Sequence, residues 1–132
     1  MTLEEKILKE YQVVAVVGAS PNPARHSYRV ASYLQEHGYR IIPVNPRYTE
    51  VLGEVCYPSL SSIPETVEVV NIFRRSEEVL PVVEEAIEVK AKAVWMQEGV
   101  IHQEAAAKAG EAGLLVVMDR CIRKEHARLF QD

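Results

Sequence analysis

Cysteine is scarce in this chain of 132 residues, which contains only Cys56 and Cys121. Two cysteines so far apart in sequence make neither a disulfide framework nor the paired ligands of a zinc knuckle. The four histidines are scattered without ligand spacing, so no metal site is expected. This use of cysteine is typical of a reducing compartment, and we expect a cytoplasmic location.

Long apolar runs and an excess of basic residues are also lacking. No hydrophobic stretch approaches the roughly 20 residues that a membrane-spanning helix needs, and the first residues lack the apolar segment of a signal peptide. Fifteen Lys and Arg against nineteen Asp and Glu give a formal net charge of −4. The sequence therefore predicts no membrane and no nucleic-acid partner. Its length favours one domain over residues 1–132.

Short β-branched runs alternate with helical patterns along the chain. The run Val13–Val17 is continuously apolar, which indicates a strand buried on both faces, as in a parallel sheet. Such strand–helix–strand units predict an α/β fold: a single Rossmann-type, doubly wound, mainly parallel sheet with helices on both faces. The predicted strands are 13–17, 39–44, 67–73, 93–96 and 114–118, and the predicted helices are 27–37, 77–90, 103–112 and one from 119 onward.

Four details of local structure follow from residue types. Thr2 and Glu5 fit a capping box on a first helix. Ser76 is the expected N-cap of helix 77–90, and Asp119 is expected to open the last helix. The short run 54–57 is expected to supply an edge strand of the sheet.

The loop after the first predicted strand, residues 18–27, reads GASPNPARHS. Gly18 permits a tight turn and close approach of the backbone, and Ser20 offers a hydroxyl. Arg25 and His26 stand where the next helix presents free N–H groups, an arrangement that favours a phosphate. The alternative is a bare turn that needs Gly18 only for its backbone angles.

This loop does not satisfy the dinucleotide motif G-x-G-x-x-G, because Ser20 and Pro23 stand where the second and third glycines belong. The second predicted strand is followed by Asn45, Pro46 and Arg47, with no acidic residue to hold a ribose diol. A cation at this position suits a phosphorylated ribose better. NAD is therefore disfavoured, and an NAD(P)-dependent oxidoreductase with an atypical site is kept as an alternative.

Four segments together carry a pattern that covers nearly the whole chain: VVAVVGASPNPARHSYRVASYLQEHGYRIIPVNPRYTEVLGEVCYPSL, VEVVNIFRR, AVWMQEGV and VVMDRCIRKEH. In these segments the chain resembles the family of small CoA-binding proteins with a Rossmann-type CoA-binding domain. It is also similar to the N-terminal domain of the succinyl-CoA synthetase α subunit. The resemblance implies coenzyme A as the cofactor, lying across the carboxyl edge of the sheet.

The resemblance and the phosphate-loop reasoning together select a set of expected CoA-binding residues. Arg25, Arg47 and Arg74 supply cations for a ligand that carries a pyrophosphate and a 3′-phosphate. The complete set is Gly18, Ala19, Ser20, Arg25, His26 and Ser27 around the phosphates, Asn45, Pro46 and Arg47 on the adenosine side, Phe73 and Arg74 in the next loop, and Gln97, Glu98 and Gly99 near the pantetheine.

No complete catalytic constellation is visible, and no catalytic residue is assigned. Cys121 and His126 are five positions apart, which on a helix places them about 140° apart and therefore on different faces. We expect Cys121 to turn inward as a small buried residue, with a site at a helix N-terminus as the alternative.

The function expected from the sequence is therefore binding of CoA or acyl-CoA by a carrier, sensor or regulatory module. An acyl-CoA-handling enzyme, or an interaction protein that kept the fold and lost the ligand, are the competing interpretations. The sequence identifies no protein partner and leaves open whether the chain forms a homo-oligomer.

Overall fold

Seven strands and five α-helices follow one another in the computed structural model, which describes residues 1–130. The last two positions of the predicted domain 1–132 lie outside the described residues. In chain order the elements are α1 (Leu3–Glu10), β1 (Val13–Val17), α2 (His26–Glu36), β2 (Arg40–Val44), β3 (Glu50–Val51), β4 (Glu54–Val55), β5 (Val69–Ile72), α3 (Val79–Glu88), β6 (Ala93–Met96), α4 (Gln103–Glu111), β7 (Leu115–Val117) and α5 (Ile122–Phe130).

Five parallel strands form the main sheet in the order β2-β1-β5-β6-β7. Helices α1, α2 and α5 cover one face, through buried side chains such as Ile7, Leu34 and Ile122. Helices α3 and α4 cover the other face, through side chains such as Val83 and Ala105. The predicted α/β fold with helices on both faces is confirmed.

The apolar runs form strands because both faces of the sheet are covered. Every residue of β5 and of β6 is buried, so neither strand shows the alternation of a half-exposed strand. Trp95 in β6 is fully buried, and its indole N–H donates to the carbonyl of Arg120 at 2.9 Å. Burial of each such large apolar side chain contributes roughly 1.5–3 kcal/mol.

The predicted edge strand at 54–57 is wrong. Glu54–Val55 pairs antiparallel with Glu50–Val51 in a separate hairpin, whose turn residues Leu52 and Gly53 both have positive φ. Such a two-residue turn matches the twist of a hairpin, which draws the segment away from the main sheet. Within this segment, Tyr57 alone forms a backbone bridge to the main sheet, at Val44 of β2.

Of the three predicted caps, only the first is present, and only the Thr2 half of the expected capping box is confirmed. The Thr2 hydroxyl accepts from the backbone N–H of Glu5 at 3.1 Å. Ser76 lies in a 3₁₀ turn before α3, and its hydroxyl accepts from the N–H of Ile101 instead. Asp119 has a left-handed backbone and accepts from the N–H of Gly99 at 2.7 Å, so it does not cap α5. Both side chains are used to hold neighbouring loops together.

Residues 1–130 bear on two expected absences, that of a membrane-spanning helix and that of a metal site. In that range, no helix is both long enough and apolar enough to cross a membrane. In the same range, no group of three or more His, Cys, Asp or Glu is placed to hold a metal ion.

Candidate functional site

A cleft with a volume of about 480 Å³ opens at the carboxyl ends of β1, β2 and β5. From β1 the chain moves to β2 on one side and later to β5 on the other, so the strand order reverses between β1 and β5. This is the place where doubly wound sheets bind their ligands. The cleft is lined by Gly18, Ser20, Arg25, His26, Ser27, Asn45, Arg47, Tyr48, Phe73, Arg74, Arg75 and Glu78.

Gly18 directly follows β1 and lies against the backbone of Phe73, which directly follows β5. Its φ is +93°, and a Cβ at this position would lie 2.5 Å from the carbonyl oxygen of Phe73. Its N–H donates to the carbonyl of Val44 at 2.9 Å. Only glycine satisfies both the left-handed backbone and the contact, so this residue sets the floor of the cleft.

The loop that follows Gly18 is held by its own side chains and by the end of β2. The Ser20 hydroxyl accepts from the N–H of Asn22 at 3.1 Å. The Asn45 amide donates to the carbonyl of Ala19 at 2.9 Å, and its oxygen accepts from the N–H of Arg47 at 2.9 Å. Ala19 is itself buried. Asn45 therefore ties the loop to the neighbouring strand, a role that its position in the sequence alone did not reveal.

Four arginines surround the cleft. Arg75 pairs with Glu78 at 3.0 Å. Arg25, Arg47 and Arg74 form no ion pair with any residue of the described range. The N-terminus of α2 lies beside them, because α2 begins at His26. The cleft therefore combines unpaired positive charge with free helix N–H groups, the chemistry that binds phosphate.

His26 forms the inner wall of the cleft. Its ring meets the ring of Phe73 edge-on, with centroids 6.0 Å apart. Burial, and then the nearby Arg29 and Arg123, lower the pKa of His26 below its usual value. Its Nε2 faces the buried side chains of Gln97 and Cys121.

The residues expected near the pantetheine are divided between the interior and a second cleft. Gln97 is only 2% exposed and lies beneath the first cleft, behind His26. Glu98 pairs with Lys124 at 3.0 Å and borders a separate cleft of about 450 Å³. Neither Gly99 nor Pro46 lines the first cleft.

Cys121 immediately precedes α5 and is 2% exposed. Its Sγ lies 3.8 Å from His26 Nε2, whereas His126 is bonded through Nδ1 to the hydroxyl of Tyr33 at 2.8 Å. The inward orientation expected of Cys121 is confirmed by its burial, whereas the helix-face argument for its separation from His126 does not apply, because Cys121 precedes the helix. The proximity of Cys121 to His26 was missed, because the two residues lie on different helices.

The cleft also contains side chains that the sequence reasoning missed: Tyr48, Arg75 and Glu78. Tyr48 and Arg75 each directly follow an arginine that was selected, in the same loops, but neither was itself selected as a binding residue. Nothing in the sequence pattern marked Glu78.

Comparisons with known proteins give a consistent family. The model of a CoA binding domain matches residues 12–127. The chain is 42% identical over 123 residues to the uncharacterized protein YneT of Bacillus subtilis, covering 93% of this chain and 91% of that protein. It is 39% identical over 74 residues to an ADP-forming acetate–CoA ligase of Archaeoglobus fulgidus, covering 56% of this chain and 11% of the ligase.

A solved structure has the same fold over nearly the whole chain. A hypothetical protein from Pyrococcus horikoshii OT3 superposes with a TM-score of 0.94 at 47% sequence identity, covering 98% of this chain and 92% of that one. Since the family match spans both the phosphate loop and the segment that leads into α5, the chain belongs to the CoA-binding domain family.

Proposed function

We propose that this protein binds coenzyme A or acyl-CoA in the cleft at the carboxyl edge of its sheet, as a carrier, sensor or regulatory module. The observation that carries the proposal is the set of three unpaired arginines around the N-terminus of α2, at the point where strand order reverses. A ligand with several phosphates neutralises such a set, and CoA has both a pyrophosphate and a 3′-phosphate.

The pyrophosphate is assigned to the loop between Gly18 and α2. Because Gly18 has no side chain, an anion can approach the backbone there, and the first N–H groups of α2 have no carbonyl partner within the helix. Arg25 adds a side-chain donor at the same place. Ser27 contributes its backbone N–H, since its side chain is mostly buried.

The adenosine and the 3′-phosphate are assigned to the opposite wall. Arg47 and Arg74 stand on the loops after β2 and β5 and can each form a paired hydrogen bond with a phosphate. Tyr48 is 37% exposed at the same wall and offers an aromatic face to adenine. The nitrogen and the oxygen of the Asn45 amide are both bonded to the backbone, so this side chain is not available to the ribose. No carboxylate stands at this position to bind a ribose diol.

The pantetheine arm is assigned to the path from His26 toward Glu98 and the second cleft. A relative named as a CoA ligase supports CoA as the ligand. Because this chain corresponds to only 11% of that ligase, we do not extend the ligase reaction to it.

Calorimetry with CoA, acetyl-CoA, NADP and NAD tests the proposal directly. We expect CoA to bind at least about tenfold more tightly than NAD, a difference of about 1.4 kcal/mol. Removing the 3′-phosphate, as in dephospho-CoA, should weaken binding by a similar factor, because one charged contact is lost. Tighter binding of NAD or NADP than of CoA would overturn the proposal in favour of an oxidoreductase.

A further inference from the structure

Beneath the cleft, three side chains from separate elements form a continuous series of hydrogen bonds. The Asn71 amide on β5 donates to the Gln97 oxygen Oε1 at 3.2 Å. The Gln97 nitrogen Nε2 in turn lies 3.3 Å from His26 Nε2. Asn71 is fully buried and Gln97 is 2% exposed, so the contact between them is made away from water, whereas the contact with His26 is part-buried.

Two backbone groups fix the polarity of this series. The carbonyl of Trp95 can only accept, so the Asn71 atom that faces it at 3.3 Å must be the nitrogen Nδ2. The N–H of Ile122 can only donate, so the Gln97 atom that faces it at 3.2 Å must be the oxygen Oε1. Neither amide can be reversed without opposing two like groups.

The fixed amide of Gln97 determines the tautomer of His26. Gln97 Nε2 bears only hydrogens, so His26 Nε2 must present its lone pair to it. The thiol of Cys121, 3.8 Å from the same ring nitrogen, also offers a hydrogen to that lone pair. A neutral imidazole with an unprotonated Nε2 carries its proton on Nδ1.

The protonated nitrogen Nδ1 is left without a partner by the contacts of the ring in the described part of the chain. His26 lines the cleft, and Nδ1 has no hydrogen-bond partner among the described residues. Within that range, the buried side-chain polar atom without a partner is Asn71 Oδ1, so His26 Nδ1 is not enclosed. Its N–H is therefore available to a ligand in the cleft that His26 lines.

We infer that Asn71 and Gln97 hold His26 as the neutral Nδ1–H tautomer, so that Nδ1–H donates to a phosphate oxygen of the ligand in the cleft. The inference rests on the proposed function for the identity of that ligand. Burial and the nearby Arg29 and Arg123 lower the pKa of His26, which keeps the ring neutral at neutral pH. A second proton, on Nε2, would oppose the N–H of Gln97, which also disfavours the charged ring. His26 thus acts as a directed donor and adds no charge to the arginines.

The tautomer is measured first, without any ligand, from the ¹⁵N chemical shifts of the His26 ring near pH 7.5. In the wild-type protein we expect a protonated Nδ1 and an unprotonated Nε2. In Gln97→Glu the carboxylate accepts from Nε2–H, so we expect the proton to move to Nε2 and the pKa of His26 to rise. A wild-type Nε2–H tautomer, or no change in Gln97→Glu, would overturn the inference.

The donor role is measured with a matched pair of variants. The amide nitrogen of Asn is as many bonds from Cβ as Nδ1 of His, and that of Gln is as many as Nε2. We therefore expect His26→Asn to retain affinity for CoA within about threefold and His26→Gln to lose about tenfold or more, the scale of one hydrogen bond to a charged group. Equal losses in both variants would show that only ring packing matters and would contradict the donor role.

Inorganic pyrophosphate is the second probe and separates this inference from the proposed function. We expect it to show the same ranking of variants at lower affinity, and to shift the ¹⁵N signal of Nδ1 more than that of Nε2. If CoA fails to bind the wild-type protein, the proposed function fails, while the tautomer and the pyrophosphate ranking still decide the role of His26. Pyrophosphate that binds wild type and both variants equally would overturn that role.

Discussion

Arg40 and Arg47 lie at the two ends of the same stretch of chain, and their surroundings are opposite. At the amino edge, Arg40 begins β2 and is bonded to Glu54 and, at 2.8 Å, to Glu65. These hydrogen bonds raise the pKa of Arg40 above its usual value. At the carboxyl edge, Arg47 follows β2 and makes no ion pair with a residue that the structure describes. The arginine at the amino edge is therefore neutralised by carboxylates, whereas the arginine at the carboxyl edge keeps its charge available to a ligand.

The backbone shows the same difference between the edges. At the amino edge, the Glu68 carboxylate accepts from the N–H groups of Gln12 and Val13, at 2.8 and 3.0 Å. At the carboxyl edge, the N-terminus of α2 has no capping side chain. Cations gathered around an uncapped helix N-terminus repel one another and the helix dipole, so this arrangement does not serve folding. It supports the proposal that an anion binds at the carboxyl edge.

The largest expected effect on stability and on CoA binding comes from Gly18→Ala, a substitution at the carboxyl edge. The left-handed backbone and the 2.5 Å approach to the Phe73 carbonyl both penalise a Cβ. We expect the free energy of unfolding to fall by about 2–3 kcal/mol, together with loss of CoA binding. Urea denaturation and calorimetry measure the two effects.

Gly38→Ala is the matched control at the amino edge. Gly38 has a φ of +92°, almost the same as Gly18, but an added Cβ would meet nothing within 4 Å. The free energy of unfolding of this variant should fall only by the cost of a left-handed alanine, about 1–2 kcal/mol. The variant should bind CoA as the wild-type protein does. Equal destabilisation of both variants would mean that the contact with Phe73 has no energetic consequence.

The second effect is the contrast between arginines at the two edges. We expect Arg25→Ala and Arg47→Ala to weaken CoA binding by about 1.5–3 kcal/mol each while leaving the unfolding free energy nearly unchanged. Arg40→Ala should leave the affinity for CoA unchanged and lower the free energy of unfolding. The loss should be below about 1 kcal/mol, because the ion pairs of Arg40 are partly exposed. Unaltered affinity in Arg25→Ala would place the phosphates elsewhere.

The main sheet could be predicted because its signals are local and repeated. Runs such as Val13–Val17 need both faces covered, and only a layered parallel sheet provides that cover. The hairpin at β3 and β4 was missed because its turn, Leu52-Gly53, lacks the Asn-Gly or Asp-Gly signature of such turns. Ser76 and Asp119 were misassigned because distant loops compete for their oxygens.

The part of the cleft lined by Gly18, Arg25 and Arg47 could also be located from the sequence, since Gly18 directly follows an apolar run and the two arginines stand in the loops after two such runs. The buried half could not. The contacts of His26 with Gln97 and Cys121 join three elements whose separation in sequence carries no periodic signal. Such pairings depend on how helices cross the sheet, which sequence spacing alone does not determine.

A smaller effect concerns pH and a histidine outside the cleft. His126 lies among Tyr33, His37, Tyr39 and Phe130, and burial, followed by the charge of His37, lowers its pKa. The unfolded state therefore binds more protons than the folded state below the usual pKa of about 6.5. The stability from His126 is fully present above that value and falls as the pH drops through the lowered folded pKa.

Urea denaturation at a series of pH values measures this dependence. Because the pKa of His26 is also lowered, we expect His126→Gln to remove part of the acid-induced loss and His26→Asn to remove another part. Stability that rises on acidification through this window would contradict the neutral, buried state of both rings.

The smallest expected effect is at Cys121, where the structure predicts almost none. The thiol is 2% exposed and faces His26 beneath the cleft, so alkylation requires local opening of the α5 end. In a Cys56→Ser background, which leaves Cys121 as the reporter, we expect native labelling to be at least roughly a hundredfold slower than in urea. Cys121→Ser keeps a hydrogen for His26 Nε2 and should bind CoA normally. Rapid labelling that CoA suppresses, or a CoA adduct on Cys121, would instead show that the thiol reaches the ligand and would assign it a role in thiol exchange.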